Sequence, residues 1–154
     1  HCNGKYIIMG DADDSYNFLE LSLFIERLQA GYDMVMGNRF AGGITKGAMP
    51  WLHRYVGNPF LSSLGRFLFK NNIGDFHCGL RAFTKKCYNI INPQCNGMEF
   101  ASELVALASI HQMRICEIPV ILYPDGRKRR PHLRSWRDGF RHMVLLYSLY
   151  LLRN

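Results

Sequence analysis

The stretch that most constrains this chain runs from Tyr6 to Ser15, YIIMGDADDS. Tyr6, Ile7, Ile8 and Met9 make a short apolar run with strong β character, and Gly10 ends it. Three carboxylates then crowd into four positions: Asp11, Asp13 and Asp14. A buried strand that delivers acids at its carboxyl end supplies what an open α/β sheet needs for an active site. The Asp-x-Asp spacing puts Asp11 and Asp13 within reach of one hard cation. Mg²⁺ or Mn²⁺ would use one or two carboxylates and complete its shell with water and substrate phosphates. The plainer alternative is a polar turn that caps the next helix, since Asp and Ser are ordinary cap residues.

The following segments read as alternating strands and helices. Asn17 and Glu20 have the spacing of a capping box, and Leu21, Phe24, Ile25 and Leu28 repeat at helical spacing until Gly31. Asp33 to Gly37 reads as the next strand, so strand, helix and strand suggest a βαβ unit and a parallel sheet. Gly42, Gly43 and Gly47 then mark a mobile loop, with Arg39 at the end of the preceding strand. Pro50 suits a first helical position, which predicts a helix from Trp51 to about Lys70, kinked at Pro59. Arg54 and Asn58 lie four apart on one face of it. Arg39 and Arg54 flank the glycine-rich loop, either as a phosphate clamp beside the acidic turn or as solvated side chains.

Asp75 to Thr84, DFHCGLRAFT, reads as an extended segment in which Gly79 marks close approach of backbone to a ligand, or a bulge. Thr84 caps a short helix ending before Pro93, and Gly97 opens another in which Glu99 and Glu103 share a face. Arg114 to Tyr123 is a strand, with Pro119 favouring an edge or bulge.

Charge narrows the partner. The 154 residues carry a formal net charge of +7, which favours phosphates, nucleic acid or an anionic membrane. Much of it sits in one run, where Arg127, Lys128, Arg129, Arg130, Arg134, Arg137 and Arg141 crowd together. A solvated loop or a nucleic-acid patch is one reading of such a run. The sequel favours another: Ser135 and Asp138 form a cap pair, and Phe140, Met143, Val144, Tyr147 and Leu151 stripe a helix. A basic, amphipathic, aromatic-bearing helix suits an anionic membrane interface, with Arg134, Arg137 and Arg141 near the head groups. Its apolar run, Met143 to Leu152, is far shorter than the roughly 20 residues of a membrane span. The five cysteines lack metal-type spacing and read as reduced cytosolic thiols, mostly core fillers.

Taken in order, YIIMGDADDSYNF, MGNRF, HRYVGNPFLSSLGRF, GDFHCGLRAF, GMEFASELV, RICEIPV and PDGRKRRPHLRSWRDGFRH resemble family 2 glycosyltransferases of the GT-A fold. The nearest branch is the polyprenyl (dolichyl)-phosphate mannosyl- and glucosyltransferases. The resemblance implies an α/β fold: a partial, Rossmann-like GT-A domain with a mixed sheet and flanking helices over residues 1–133, then an amphipathic interfacial helix over 134–154. It implies metal-dependent transfer of a hexose from a nucleotide sugar to a polyprenyl phosphate, on the cytoplasmic face of a membrane.

By the same resemblance Asp11 and Asp13 hold the divalent ion on the sugar diphosphate, and Asp13 and Asp75 are the catalytic acids. Arg39, Arg54 and Asn58 face the acceptor phosphate, and Arg81 belongs to the substrate-binding CGL-Arg segment. Arg127 and Arg130 lie in the basic loop that closes over the phosphates. Phe140, Met143 and Tyr147 join the membrane-facing set. Where some members carry Gln two residues past the second Asp, this chain has Ser15. Members also begin with a strand and loop of the VVIPAYNE type that binds base and ribose, which nothing here matches. The expectation is therefore the carboxyl-terminal part of the domain: a fragment, a split protein or a degenerate copy. The rival classes are a non-catalytic membrane-associated remnant and a nucleic-acid binder. The second is disfavoured because the arginines gather beside an apolar helix and no nucleic-acid motif accompanies them.

Overall fold

The computed structural model describes residues 3–126 and 135–153, so the basic loop with Arg127, Arg130 and Arg134 lies outside the described residues. The apolar run of the opening stretch forms β1 (Tyr6–Met9), as its β-rich composition requires. The chain continues through α1 (Leu21–Gln29), β2 (Met34–Asn38), a short α2 (Arg39–Gly42) and α3 (Asn58–Phe69). It then forms β3 (Arg81–Thr84), α4 (Lys85–Ile91), α5 (Phe100–Ile110), β4 (Ile115–Pro119) and α6 (Ser135–Leu152).

The strands of the described residues form a sheet in the order β1-β3-β2-β4. β4 pairs parallel with β2, whereas β3 pairs antiparallel with both β1 and β2. The mixed sheet is as expected, but the βαβ inference needs correction. β1 and β2 point the same way, yet β3 fills the slot between them, with Arg81 opposite both Met9 and Met36. The chain returning from α3 enters the sheet from the opposite end. The extended segment is also shorter than expected, because residues 75–80 are spent on turns. Glu117 on β4 fixes them by accepting from the Gly74 and Asp75 amides at 2.9 and 3.0 Å.

Alternation along the strands separates two cores. Val35 and Ala82 face Phe24 and Leu28 of α1, while Met34, Met36 and Phe83 face Cys87, Leu104 and Val105 of α4 and α5. The far side of α5 meets α3 and α6 at Leu68, Phe69, Ala106 and Leu146. α5 is buried on both sides, which accounts for its nearly continuous apolar sequence. α3 approaches closely because Gly65 has no side chain: a Cβ there would lie 2.5 Å from the Phe76 ring.

Several local readings hold with changes of detail. Thr84 caps α4 by accepting from the Cys87 amide at 3.0 Å. Asn17 accepts from the Leu19 amide and clasps Glu20 side chain to side chain, in place of the reciprocal bonds of a capping box. The helix from 51 to 69 is interrupted where Pro59 removes a donor. The irregularity takes the form of a π-helical segment, His53–Gly57, just ahead of α3. The glycine-rich loop is tethered by a bridge between Ile44 and Leu122 and by the Thr45 hydroxyl, which donates to the Leu122 carbonyl at 2.8 Å. β4 is an edge strand ending at Pro119, where a missing N–H costs the ladder least.

Candidate active site

The turn after β1 presents its acids at the carboxyl end of the sheet. Ser15 holds Asp13 there, its amide and hydroxyl donating to Oδ1 at 3.2 and 2.5 Å. The reversal passes through Asp14 in the left-handed region at φ 61°, a conformation Asp tolerates better than most residues. Asp11 lies against Gly79, where an added Cβ would come within 1.9 Å of Asp11 Oδ2. The glycine thus seats a carboxylate. The Gly79 amide donates to the Tyr16 hydroxyl at 3.1 Å. Burial pushes the Tyr16 phenol above its ordinary value and the Cys78 thiol up to about 11, which keeps both neutral beside the acids.

Arg39 and Asp75 form the centre of the site wall. Asp75 Oδ2 accepts from the Arg39 amide at 3.1 Å and from Nε at 2.7 Å, while Oδ1 accepts from Nη2 at 2.7 Å and from the His77 amide at 3.3 Å. Burial works against the Arg39 charge, but the Asp75 carboxylate more than offsets it, so the guanidinium stays protonated. Asp75 is 0% exposed with both oxygens engaged, which makes it a counter-ion to Arg39 and not a base open to substrate.

Arg81 is enclosed as well. Its guanidinium donates to the Cys78 and Ala101 carbonyls, bracing the 75–80 turns against α5 from behind the wall, and burial lowers its pKa. Arg54 reaches the Ile44 carbonyl at 3.4 Å and stacks over Tyr55. Asn58 donates to the Met49 sulfur at 3.5 Å.

Asp11, Asp13 and Arg39 share a cleft of about 680 Å³ with apolar side chains from two helices. Leu52, Val56 and Phe60 come from the helix at 51–69, and Phe140 and Met143 from α6. Asn58 and His77 also line it. Nothing in the sequence reading singled out the first of these helical faces. Trp51, Tyr55, Val56 and Phe60 are exposed there, and the signal was present in aromatic and apolar residues recurring four apart.

α6 carries two apolar faces. Leu146 and His142 are buried, and Leu149 and Tyr150 pack beside them, against α3 and α5. Phe140, Val144, Tyr147 and Leu151 project outward, Phe140 at 62% and Tyr147 at 60% exposure. Arg137 is exposed, and Arg141 pairs with Glu99 at the start of α5. The sequence reading also missed a buried array of His77, Ser102 and His142, residues from three separate segments that only the fold unites. Among the described residues no three His, Cys, Asp or Glu side chains cluster for a metal, and no helix is long and apolar enough to cross a membrane.

Comparison with known proteins agrees with this architecture. The solved structure of glucosyl-3-phosphoglycerate synthase from Mycobacterium tuberculosis, in complex with phosphoglyceric acid, superposes with a TM-score of 0.69. The match covers 96% of this chain and 50% of that one, at 15% identity, and establishes a shared GT-A fold. In sequence, a low-salt glycan biosynthesis hexosyltransferase of Haloferax volcanii is 38% identical over 91% of this chain and 34% of its own length. A dolichyl-phosphate hexose transferase of the same organism is 32% identical over 74% of this chain and 48% of its own. A polyprenol monophosphomannose synthase of Mycolicibacterium smegmatis is 29% identical over 71% of this chain and 42% of its own. The chain thus spans a third to a half of the length of these relatives. Residues 1–90, from the acidic turn through the Arg39–Asp75 pair to α4, match glycosyl transferase family 2, and the chain belongs to that family.

Proposed function

We propose that this chain supplies the diphosphate and acceptor sides of hexose transfer from a nucleotide sugar to a polyprenyl (dolichyl) phosphate, at the cytoplasmic face of a membrane. The observation that carries the reading is the union in one cleft of Asp11, Asp13 and Arg39 with the apolar faces around Phe60 and Phe140. The sugar and diphosphate of a donor are polar, whereas a phosphate joined to a hydrocarbon tail uses both a charged wall and an apolar one. Two of the relatives carry dolichyl phosphate or polyprenol phosphomannose in their names.

The acidic turn fits a divalent cation such as Mg²⁺ or Mn²⁺. Its donors are hard carboxylate oxygens, Gly79 leaves room for Asp11, and Ser15 fixes Asp13. Such an ion would neutralise charge on the leaving diphosphate. Ser15 and Gly79 spare the two carboxylates reorganisation when the diphosphate arrives. Arg39 keeps its positive charge in the cleft wall because Asp75 fixes it. Asn58 adds an amide to the cleft lining and Arg54 a charge one turn earlier on the same helix; by the family resemblance Arg127 and Arg130 would bind the phosphates.

The acceptor chemistry follows from Asp75. Its oxygens are already committed to Arg39 and the His77 amide, so it is poorly placed to deprotonate a hydroxyl. A phosphate monoester, with a second pKa of about 6, arrives largely ionised and needs positioning rather than a base. Radiolabelled hexose transfer, compared between a polyprenyl phosphate and the corresponding alcohol, tests this. Product is expected only with the phosphate, lost in EDTA and restored by Mg²⁺ or Mn²⁺. Equal turnover of both acceptors would overturn the reading.

A further inference from the structure

One buried polar array has no part in the transfer as described. Ser102 is buried on α5, with Oγ 2.9 Å from His77 Nε2 and 2.8 Å from His142 Nδ1. The two imidazoles meet edge to face with centroids 4.8 Å apart. His77 lies in the turns that hold Asp75, and its amide donates to the Asp75 carboxylate. His142 belongs to α6 and is 5% exposed. The array therefore joins α6, through α5, to the loop that carries the Arg39 counter-ion.

A hydroxyl has one hydrogen and two lone pairs, so Ser102 can donate to only one ring, and where it does so it accepts from the other. Two arrangements place that hydrogen between the rings. In the first, His77 Nε2–H donates to Ser102, and Ser102 donates to His142 Nδ1. In the second every bond reverses, His142 Nδ1–H donates to Ser102, and the proton of a neutral His77 moves to Nδ1. His77 Nδ1 is buried and has no hydrogen-bond partner among the described residues. An orphaned buried N–H is rarer in folded proteins than an orphaned acceptor. The first arrangement is therefore the resting one.

We propose that Ser102 is a positioning residue that makes the tautomer of His77 follow the protonation of His142, so that α6 and the Asp75–Arg39 loop are coupled through a single hydrogen. The groups around each ring decide which charges first. His77 faces Arg39, Arg81, His53 and His142, and only its amide reaches the Asp75 carboxylate. His142 faces Glu99 and Asp138 as well as Arg141. Burial lowers both pKa values; the neighbouring cations lower that of His77 again, whereas the carboxylates of Glu99 and Asp138 favour charge on His142. His142 takes the first proton at Nδ1, which reverses the Ser102 hydroxyl and leaves His77 with a buried, unpaired Nδ1–H. That strain falls on the turns that orient Asp75 and Arg39. Its effect on hexose transfer rests on the function proposed above; the coupling itself does not.

Long-range proton–nitrogen spectra of histidine-labelled protein read both rings directly, from about pH 8 to about pH 5, either side of the ordinary imidazole pKa near 6.5. In the wild type His77 is expected as the Nε2–H tautomer at high pH, shifting toward Nδ1–H in step with His142 protonation. In Ser102→Ala, His142 should titrate while the His77 tautomer stays constant. A His77 that keeps one tautomer while His142 titrates in the wild type overturns the proposal, as does an equal switch in Ser102→Ala. So does a His142 that stays neutral down to the pH of unfolding. Should Ser102→Ala fail to fold, His142→Phe removes the titrating ring at similar volume, and any remaining His77 switch overturns the coupling. The spectra need no turnover, so a protein inactive with every nucleotide sugar would fail the functional reading and leave this test intact.

Discussion

Arg39 and Asp75, 36 residues apart in sequence, meet as a two-pronged ion pair in which both side-chain bonds measure 2.7 Å. The pair closes the end of β2 onto the turns before β3, so it is a folding contact as much as a feature of the cleft. Removing one partner leaves a buried charge alone, which costs about 3–5 kcal/mol. Arg39→Ala and Asp75→Ala should each lower the unfolding free energy, read from urea denaturation, by an amount of that order. The double variant should fall short of the sum by about 0.5–3 kcal/mol, as residues in direct contact do. Strict additivity would show that the pair contributes no coupling.

Gly79→Ala tests the seat of Asp11. The added Cβ would meet a carboxylate oxygen at 1.9 Å, so the Asp11 side chain must swing away. Alanine at 79 should leave the thermal midpoint within a few degrees, because an exposed carboxylate can rotate. It should weaken Mn²⁺ binding, read by paramagnetic broadening of nearby resonances, by about tenfold or more, equivalent to about 1.4 kcal/mol. Unchanged broadening would remove Asp11 from the ligand set.

Local chemistry made much of this fold legible in the sequence, and non-local chemistry hid the rest. β1, α1 and the Thr84 cap depend on spacing within a few residues, and they stand where periodicity placed them. The insertion of β3 between β1 and β2 depends on a return path from α3 that no local pattern encodes. The same division holds in the site. The acidic turn is contiguous and was readable. The engagement of Asp75 by Arg39 and the meeting of His77, Ser102 and His142 arise only when separate elements converge.

Arg54 offers a cleaner report on the acceptor than Arg39. Its guanidinium is partly exposed and its closest protein acceptor, a carbonyl, lies at 3.4 Å, so its loss should cost little stability. A charge-assisted bond to an acceptor phosphate is worth roughly 1.5–3 kcal/mol, or about tenfold to a hundredfold in rate. Arg54→Ala should reduce kcat/KM for a polyprenyl phosphate by that factor with an unchanged melting temperature. A full rate on the phosphate acceptor would remove Arg54 from the contact set.

Acid should destabilise this protein through its histidines. His53, His77 and His142 all hold pKa values below the ordinary one, in each case chiefly because burial disfavours the imidazolium. Below the unfolded value of about 6.5, the unfolded chain binds protons that the native state refuses, so stability falls as pH drops and is flat in these groups above about 7.5. Each refusing group contributes a slope of up to about 1.4 kcal/mol per pH unit. His77→Gln should flatten the fall in urea stability between about pH 6.5 and pH 5. An unchanged slope in that variant would show that His77 charges freely in the native state.

The two faces of α6 separate membrane binding from folding. Leu146 is 0% exposed within the contact with α3 and α5, so Leu146→Asp places a charge in a packed core and should unfold the protein. Phe140 and Tyr147 point outward, and aspartate at either should be tolerated by the fold. If these side chains enter a bilayer interface, each contributes roughly 1.5–3 kcal/mol when fully inserted, a term that salt does not screen. The basic residues add about 1 kcal/mol apiece near an anionic surface, and that term fades with ionic strength. Wild-type protein should therefore float with anionic liposomes, less so in high salt but still measurably. Phe140→Asp with Tyr147→Asp should abolish the salt-resistant part and leave the melting temperature unchanged. Charge reversal at Arg129 and Arg130 should weaken the salt-sensitive part alone. A wild type that floats with neither anionic nor neutral liposomes would show that the outward face of α6 has no interfacial role.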